Sequence, residues 1–233
     1  MTTRLLAFGD CNTLGSEQLP PGECVPAKLA DRLRAAGGEV VLDNQGGTMN
    51  CSREGVARVR RVSEAADVVL LNYGLVDSWV TSVPWLHVAY FPDNPLRKQA
   101  RKLLKSVKRR LRSPAVRRVV GEGVVVRPQE FAANVRRVVD AVRAKSPGCR
   151  VVLWGTVPVR GDADRNASIA GYDAVLRDVA AEKGYLWFDT RAFLANLPEE
   201  TVYLDNVHLN PEGASRVADA MAEVVEGRRA AAA

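Results

Sequence analysis

The sequence has little of several residue types that carry chemistry. Only two of its 233 residues are histidines, His87 and His208, so imidazole-dependent catalysis must use one of them. The four cysteines lie far apart and form no CxxC pair, which argues against a zinc knuckle or a thioredoxin motif. We therefore expect reduced thiols, with Cys24, Cys51 and Cys149 serving as packing residues, and we expect no metal site and no cofactor.

Long hydrophobic runs are also missing. No apolar run reaches the ~18 residues that a membrane-spanning helix needs. The N-terminal residues lack the apolar region and the small-residue cleavage site of a signal peptide. We therefore expect a cytoplasmic protein. With 47% apolar and 26% charged residues, the composition is that of an ordinary globular protein. We predict one domain over residues 1–226 and a disordered tail over residues 227–233.

Apolar runs alternate with amphipathic stretches along most of the chain, which is typical of a parallel sheet covered by helices. We predict a three-layer α/β/α, flavodoxin-like fold with five parallel strands and the ligand site at their C-terminal ends. The predicted strands are Arg4–Phe8, Glu39–Asp43, Asp67–Leu71, Arg150–Thr156 and Tyr185–Asp189. The predicted helices are Cys24–Ala36, Arg53–Ala65, Gln129–Lys145, Asn166–Lys183 and Pro211–Glu226.

The segment from about Ser78 to Val126 does not follow this alternation. We interpret it as an insertion after the third strand, with an aromatic loop followed by a basic helix. Its second part, Arg97–Arg118, contains 11 Lys or Arg residues and no acid, although the whole chain carries a net charge of only +6. A solvated face is one interpretation of this charge. The alternatives are an anionic membrane surface or an acidic acyl carrier protein, whereas nucleic acid is disfavoured because no recognition motif accompanies the charge.

Two short motifs near the ends of the chain could form a catalytic site. Gly9-Asp10-Cys11 follows the first strand directly, which places a nucleophile at the ligand-binding edge of the sheet. Asp205 precedes His208 by three residues in the loop before the last helix. This spacing allows the carboxylate to orient one imidazole nitrogen while the other activates the nucleophile. The motifs together predict a Cys-His-Asp triad.

These motifs resemble those of the SGNH, or GDSL-type, hydrolase superfamily. The family's first block reads Gly-Asp-Ser, which Gly9-Asp10-Cys11 matches except for the cysteine. Its last block, Asp-x-x-His before a helix that begins with Pro and Gly, matches Asp205 to His208 with Pro211 and Gly213. Cys11 could be native, or it could be an engineered replacement of the family's serine, because both would give the same sequence motif.

The two middle blocks depart from the family pattern. The second block normally supplies a glycine N–H to the oxyanion hole, and Met49 occupies that position unless a shifted loop offers Gly47. The third block, usually Gly-x-Asn-Asp, reads Gly74 to Asp77 with valine in place of the asparagine. The resemblance implies an oxyanion hole that has lost one donor, for which Asn50 or Asn72 could substitute. Asp77 is expected to order the third-block loop rather than to react.

Further residues are candidates for contact with substrate, namely Asp10, Asn12, Trp85 and His87. The alternative for Asp10 is a structural carboxylate, and the alternative for His87 is packing on its aromatic neighbours. We also expect an ion pair with His208 and the following helix N-terminus to lower the pKa of Cys11.

The resemblance implies an acyl-transfer enzyme. The first interpretation is an esterase or thioesterase that acts on an acylated small molecule, glycan or carrier-bound substrate. An acyltransferase that passes the acyl group to an alcohol or amine uses the same triad. A degenerate SGNH binding module without catalysis is the third possibility.

Overall fold

The computed structural model describes residues 2–84, 86–111 and 121–227. Within them the chain forms seven strands, β1 (Thr2–Gly9), β2 (Glu39–Gly46), β3 (Val68–Asn72), β4 (Val80–Ser82), β5 (Glu122–Val124), β6 (Arg150–Trp154) and β7 (Leu186–Phe188). Five of these strands form one parallel sheet in the order β2-β1-β3-β6-β7. The predicted flavodoxin-like fold with five parallel strands is confirmed.

Nine helices are described, all joining or flanking these strands. They are α1 (Cys11–Leu14), α2 (Val25–Ala35), α3 (Ser52–Val59), α4 (Pro95–Arg110), α5 (Pro128–Lys145), α6 (Ala163–Lys183), α7 (Thr190–Leu194), α8 (Glu199–Val202) and α9 (Pro211–Val225).

The sheet is buried on both faces, because helices cover each side. All five residues of β3 are buried, and alternate residues face opposite layers. Leu70 packs in a core with Leu29 of α2 and Met221 of α9. Leu71 packs on the other side with Phe131 of α5 and Leu176 of α6. This double burial explains why the central strands are continuous apolar runs.

The predicted elements differ from the structure mainly at their ends. The helix predicted as Arg53–Ala65 ends at Val59. After it, the Arg61 and Val62 N–H groups donate to the Arg58 and Val59 carbonyls in tight turns that lead the chain toward β3. The residues from Cys11 to Leu14, for which the sequence predicts no helix, form the one-turn helix α1. A single turn is too short to produce a hydrophobic period, so sequence patterning could not reveal it.

The predicted insertion after β3 begins and ends on a two-stranded antiparallel ribbon. Strands β4 and β5 pair Val80 with Val124 and Ser82 with Glu122. The Val126 N–H also donates to the Asp77 carbonyl at 3.1 Å, so the ribbon holds the two ends of the segment together. Helix α4 covers the first part of the predicted basic run. The remainder of that run lies largely outside the described residues, as do Trp85 and the predicted tail beyond Gly227.

Among the described helices, none combines the length and the apolar character that crossing a membrane requires.

Candidate active site

Cys11 lies where β1 ends and α1 begins. Asp10 is the N-cap of α1, and its Oδ1 accepts the Asn12 N–H at 2.9 Å. Gly9 is required before it, because a Cβ there would lie 2.0 Å from Thr13 Oγ1 and 2.5 Å from the Asn72 carbonyl oxygen. The half-buried Cys11 side chain packs beside Leu75 of the third block. The chain turn therefore presents the sulfur at the C-terminal edge of the sheet, as predicted.

Asp205 and His208 form a hydrogen-bonded pair in the loop before α9. Asp205 Oδ2 lies 2.7 Å from His208 Nδ1, and Asp205 Oδ1 accepts the backbone N–H groups of Val207 and His208 at 2.8 Å each. Burial opposes ionisation of Asp205, but these hydrogen bonds outweigh it and lower its pKa. The carboxylate therefore stays charged and fixes the orientation of the imidazole.

The two predicted halves of the triad come together in space. Cys11 and His208 line the same small cavity, whose volume is about 10 Å³. The Asn12 amide donates to the Val207 carbonyl at 3.0 Å and so connects α1 to the histidine loop. In the part of the chain that the structure describes, no hydrogen bond joins Cys11 Sγ to His208. Such bonds are often loose in free enzymes and tighten when substrate binds.

The electrostatics of Cys11 differ from the expectation of a low pKa. Burial raises the pKa of the Cys11 thiol far above its ordinary value, and the neighbouring carboxylates of Asp10 and Asp205 raise it further. The backbone N–H groups of Cys11 and Asn12 oppose the rise but are outweighed. The expected lowering of the Cys11 pKa is therefore wrong for this state, in which the surroundings favour the neutral thiol over an ion pair with His208.

Of the two polar side chains predicted to contact substrate from this loop, Asp10 takes its structural alternative, whereas Asn12 lies at the cavity. Asp10 is fully buried, and this burial raises its pKa to about 7. Asn12 is also buried, and its amide is used by the Val207 carbonyl. Asp10 thus holds its loop from inside the protein, whereas Asn12 also lines the cavity shared by Cys11 and His208.

The second-block loop has the backbone that a glycine would favour. Met49 has φ of 58°, the left-handed conformation, which agrees with its alignment to the family's glycine. Gly47 lies two residues earlier, where a Cβ would come within 2.4 Å of Asn50 Nδ2. The Asn50 amide nitrogen is buried and has no hydrogen-bond acceptor among the described residues. Met49, Gly47 and Asn50 thus form one tight loop, with one unused donor.

The third block is held by Asp77. Its two carboxylate oxygens accept the Ser52 N–H at 2.9 Å and the Gly74 N–H at 3.2 Å. Gly74 has φ of 133°, and a Cβ there would come within 2.6 Å of Thr156 Oγ1. Asn72 cannot replace the missing oxyanion donor in this state, because its amide donates to the carbonyls of Trp154 and Gly155.

His87 lies at a different place from the one predicted. It does not line the cavity of Cys11 and His208; instead its Nε2 lies 3.3 Å from Glu54 Oε1 and 4.0 Å from Cys51 Sγ. The aromatic loop is therefore attached to the N-terminus of α3. Trp85, the other predicted contact from this loop, lies outside the described residues.

Arg165 is a residue that sequence reasoning missed. It stacks 4.3 Å above the Trp79 ring and donates from Nη2 to the Leu75 carbonyl at 2.8 Å. Its Nε is buried without an acceptor among the described residues. Burial lowers the pKa of this guanidinium, whereas the charges of Asp162 and of an ionised Cys11 raise it, which places Arg165 near the Cys11 thiol. No local motif marks Arg165, because it reaches the site from α6.

A flavodoxin-like sheet with Gly-Asp-Cys after β1 and an Asp-His pair before the last helix has the features of an SGNH-type hydrolase. The family model of the GDSL-like lipase/acylhydrolase family matches residues 7–216. The chain belongs to this family, and the predicted membership is confirmed.

Solved structures of related proteins share the fold. A catalytic mutant of Axe2, an acetylxylan esterase from Geobacillus stearothermophilus, superposes with a TM-score of 0.65 at 20% identity over 96% of this chain and 94% of that one. TesA gives 0.64 at 18% identity over 97% and 99%. A lipolytic G-D-S-L family protein from Veillonella parvula gives 0.62 at 15% identity over 96% and 98%. No curated protein matches the sequence.

Proposed function

We propose that the protein is an esterase or thioesterase in which Cys11, His208 and Asp205 form the catalytic triad. The observation that carries this proposal is the 2.7 Å Asp205–His208 pair, whose imidazole shares a cavity wall with the Cys11 sulfur. The same three residue types act in cysteine acyl-transfer enzymes on other folds.

The protonated thiol determines how the first step proceeds. His208 Nε2 takes the Cys11 proton as Sγ attacks the acyl carbonyl, and the resulting imidazolium protonates the leaving alcohol or thiol. This leaves a thioester between Cys11 and the acyl group. Water then attacks the thioester with His208 again as base, which releases the acid and restores the thiol. Cys11 therefore needs His208 to remove its proton, as a catalytic serine would.

The oxyanion hole in this proposal uses backbone donors. Cys11 begins α1, where N–H groups have no acceptor within the helix, and the Met49 loop lies at the family's second-block position. Asn50 supplies a further candidate, because its amide nitrogen is unused. Loss of one side-chain donor typically costs about 2.7–4 kcal/mol of transition-state stabilisation.

The substrate proposed here carries a negative charge near the reacting carbonyl. Arg165 lies beside the nucleophile with one buried donor unused and with no carboxylate bonded to its guanidinium among the described residues. A carboxylate or phosphate on the acyl or leaving group would supply the missing acceptor.

Helix α4 remains a proposed docking element for an acidic acyl carrier protein or an anionic membrane surface. None of its residues is buried, and Leu96 and Leu103 are exposed within a strongly basic surface. A cationic surface with exposed leucines suits either partner. The docking role of α4 does not depend on the catalytic role proposed for Cys11, His208 and Asp205.

The triad is tested by intact-mass analysis after incubation with a panel of acyl thioesters and aryl esters. Wild type is expected to gain the acyl mass on Cys11, and Cys11→Ala to lose both the adduct and turnover. Cys11→Ser is expected to keep measurable turnover, because the proposed mechanism activates thiol and alcohol with the same base. His208→Ala is expected to lose more activity than Asp205→Asn, since the aspartate only orients the imidazole.

Cys149→Ser is the matched control, because Cys149 is a buried free thiol away from the site. Retained turnover in Cys11→Ala would refute the triad. An unreactive wild type on the whole panel would favour the binding module. Adding an alcohol or amine acceptor distinguishes a hydrolase from an acyltransferase, since an acyltransferase forms the acceptor ester or amide in place of free acid.

A further inference from the structure

A second group of reactive side chains lies where the aromatic loop meets α3. Cys51 is the N-cap residue of α3, Glu54 is on the first turn of that helix, and His87 comes from the insertion. One donor atom from each residue lies within 4.8 Å of the other two. Cys51 and Glu54 are at most 1% exposed, so the group is buried apart from the edge of the imidazole.

The geometry of this group is that of a ligand set rather than of a second triad. A triad uses both ring nitrogens of its histidine, one toward the nucleophile and one toward the carboxylate. Here the same Nε2 faces both partners, at 3.3 Å from Glu54 Oε1 and 4.0 Å from Cys51 Sγ. Three donor atoms that converge on one point are what a metal ion requires.

The Glu54 carboxylate is held so that it faces this point. Its Oε2 accepts the Cys51 N–H at 3.0 Å, and its Oε1 accepts the Tyr90 N–H at 2.8 Å. These bonds leave one acceptor position on each oxygen, and those positions face the Cys51 thiol and His87. Outer hydrogen bonds of this kind orient the ligands of metal sites.

The charge of the surroundings also favours a cation. Glu54 is a buried carboxyl whose two oxygens already accept the Cys51 and Tyr90 N–H groups. Asp77 is a further buried carboxyl whose negative charge acts on Cys51. A divalent ion bound by one thiolate, one carboxylate and one neutral imidazole forms a neutral complex, which suits a buried position.

We propose that Cys51 Sγ, the Glu54 carboxylate and His87 Nε2 bind one Zn²⁺ ion, with water in the fourth position. Zinc accepts this combination of sulfur, nitrogen and oxygen ligands at about 2.0–2.3 Å. On binding, the Cys51 thiol releases its proton to solvent, and the His87 proton resides on Nδ1. The ion ties the aromatic loop to α3, so its role is to fix the insertion on the domain.

The test uses Co²⁺ as a spectroscopic substitute, followed by Zn²⁺ competition, on the full-length protein freed of metal by chelator. Wild type is expected to give a thiolate-to-cobalt charge-transfer band that reaches its plateau at one equivalent and disappears on addition of Zn²⁺. Cys51→Ser is expected to lose the band. His87→Gln is expected to weaken Zn²⁺ binding by at least the ~10–100-fold that loss of an outer-shell partner costs.

Two control variants keep this result separate from the proposed triad. Cys11→Ala and Cys149→Ser are both expected to keep the band and the one-to-one stoichiometry. Loss of the band in Cys11→Ala but not in Cys51→Ser would place the metal at the Cys11–His208 site and overturn the proposal. Absence of the charge-transfer band in wild type would by itself overturn the proposed zinc site. The test therefore does not depend on whether Cys51→Ser folds.

Discussion

Asp10 combines two properties at a single residue, since it caps α1 and it is a fully buried carboxyl. Its pKa is raised to about 7 by burial, from an unfolded value near 3.8. The folded state thus binds the proton more tightly than the unfolded chain does. This contribution to stability is complete below about pH 4 and is lost as the pH rises through 7.

Asp10→Asn should remove this pH dependence while keeping the cap, because asparagine is an equally good N-cap residue. Relative to wild type, the variant is expected to gain stability between pH 5 and pH 8, by on the order of 1–4 kcal/mol at pH 8. Urea unfolding at several pH values measures this gain. Alkylation of Cys11 at pH 8 should also become faster, because the Asp10 charge raises the pKa of that thiol. A stability difference that does not change with pH would contradict the prediction.

Arg165 gives a residue-scale prediction about substrate choice. Arg165→Gln is expected to raise KM for an acyl thioester that carries a carboxylate by about 10–100-fold, which corresponds to the ~1.5–3 kcal/mol of a charged hydrogen bond. A neutral acetyl thioester should be affected little. Arg177→Gln is the matched control, since Arg177 is an exposed arginine of the same helix. Equal losses on both substrates would mean that Arg165 supports the loop rather than the ligand.

At the scale of elements, α4 is fixed at its start and exposed along its length. The Asn94 side chain caps it through the Arg97 N–H at 2.9 Å. Arg101 donates to the Ala89 carbonyl at 2.9 Å and stacks 4.5 Å above the Tyr90 ring. These contacts attach the helix to the aromatic loop and leave the side chains of its later turns on the surface.

Reversal of charge at Lys105, Lys108 and Arg109 to glutamate tests whether α4 recruits an anionic partner. We expect the apparent KM for a carrier-bound or vesicle-bound substrate to rise several-fold, with little change for a small soluble ester. Added salt should imitate the reversal, because exposed charges are screened over about 8–10 Å at 0.1–0.15 M. Steady-state kinetics with carrier, vesicle and soluble substrates separate the two possible partners.

A variant of equal net charge serves as the control for this experiment. It reverses three exposed arginines outside α4, namely Arg60, Arg137 and Arg177. If both triple variants lose the same activity, overall charge and not α4 is responsible. If neither loses activity, α4 is a solvated surface.

For the whole molecule, stability depends on the two cores on either side of the sheet. Leu70 and Leu71 are fully buried in opposite cores. Replacing either with alanine is expected to cost about 2–5 kcal/mol of unfolding free energy. Leu103→Ala on α4 should change it by less than ~0.5 kcal/mol, because that side chain is 68% exposed. Denaturant unfolding followed by circular dichroism compares the three variants. If Leu103→Ala lowered the free energy of unfolding as much as the other two, α4 would pack on the domain.

The order and type of the main elements follow from the sequence alone. Apolar runs such as Val68–Asn72 report burial directly, since a strand covered on both faces has no polar side. The Asp205–His208 pair was also predictable, because its three-residue spacing closes within one loop. Family membership followed from these local motifs in the context of the alternating strands and helices.

Tertiary structure decided the environments of the reactive groups. Burial and nearby carboxylates raise the pKa of the Cys11 thiol, whereas local sequence predicted a low pKa. Asp10 faces inward because the loops close over it. His87 meets Cys51 and Glu54 although 36 and 33 residues separate them, and Arg165 reaches Leu75 across 90 residues. Periodicity reports which face of an element is buried, but the paths of the loops decide which distant side chains meet there.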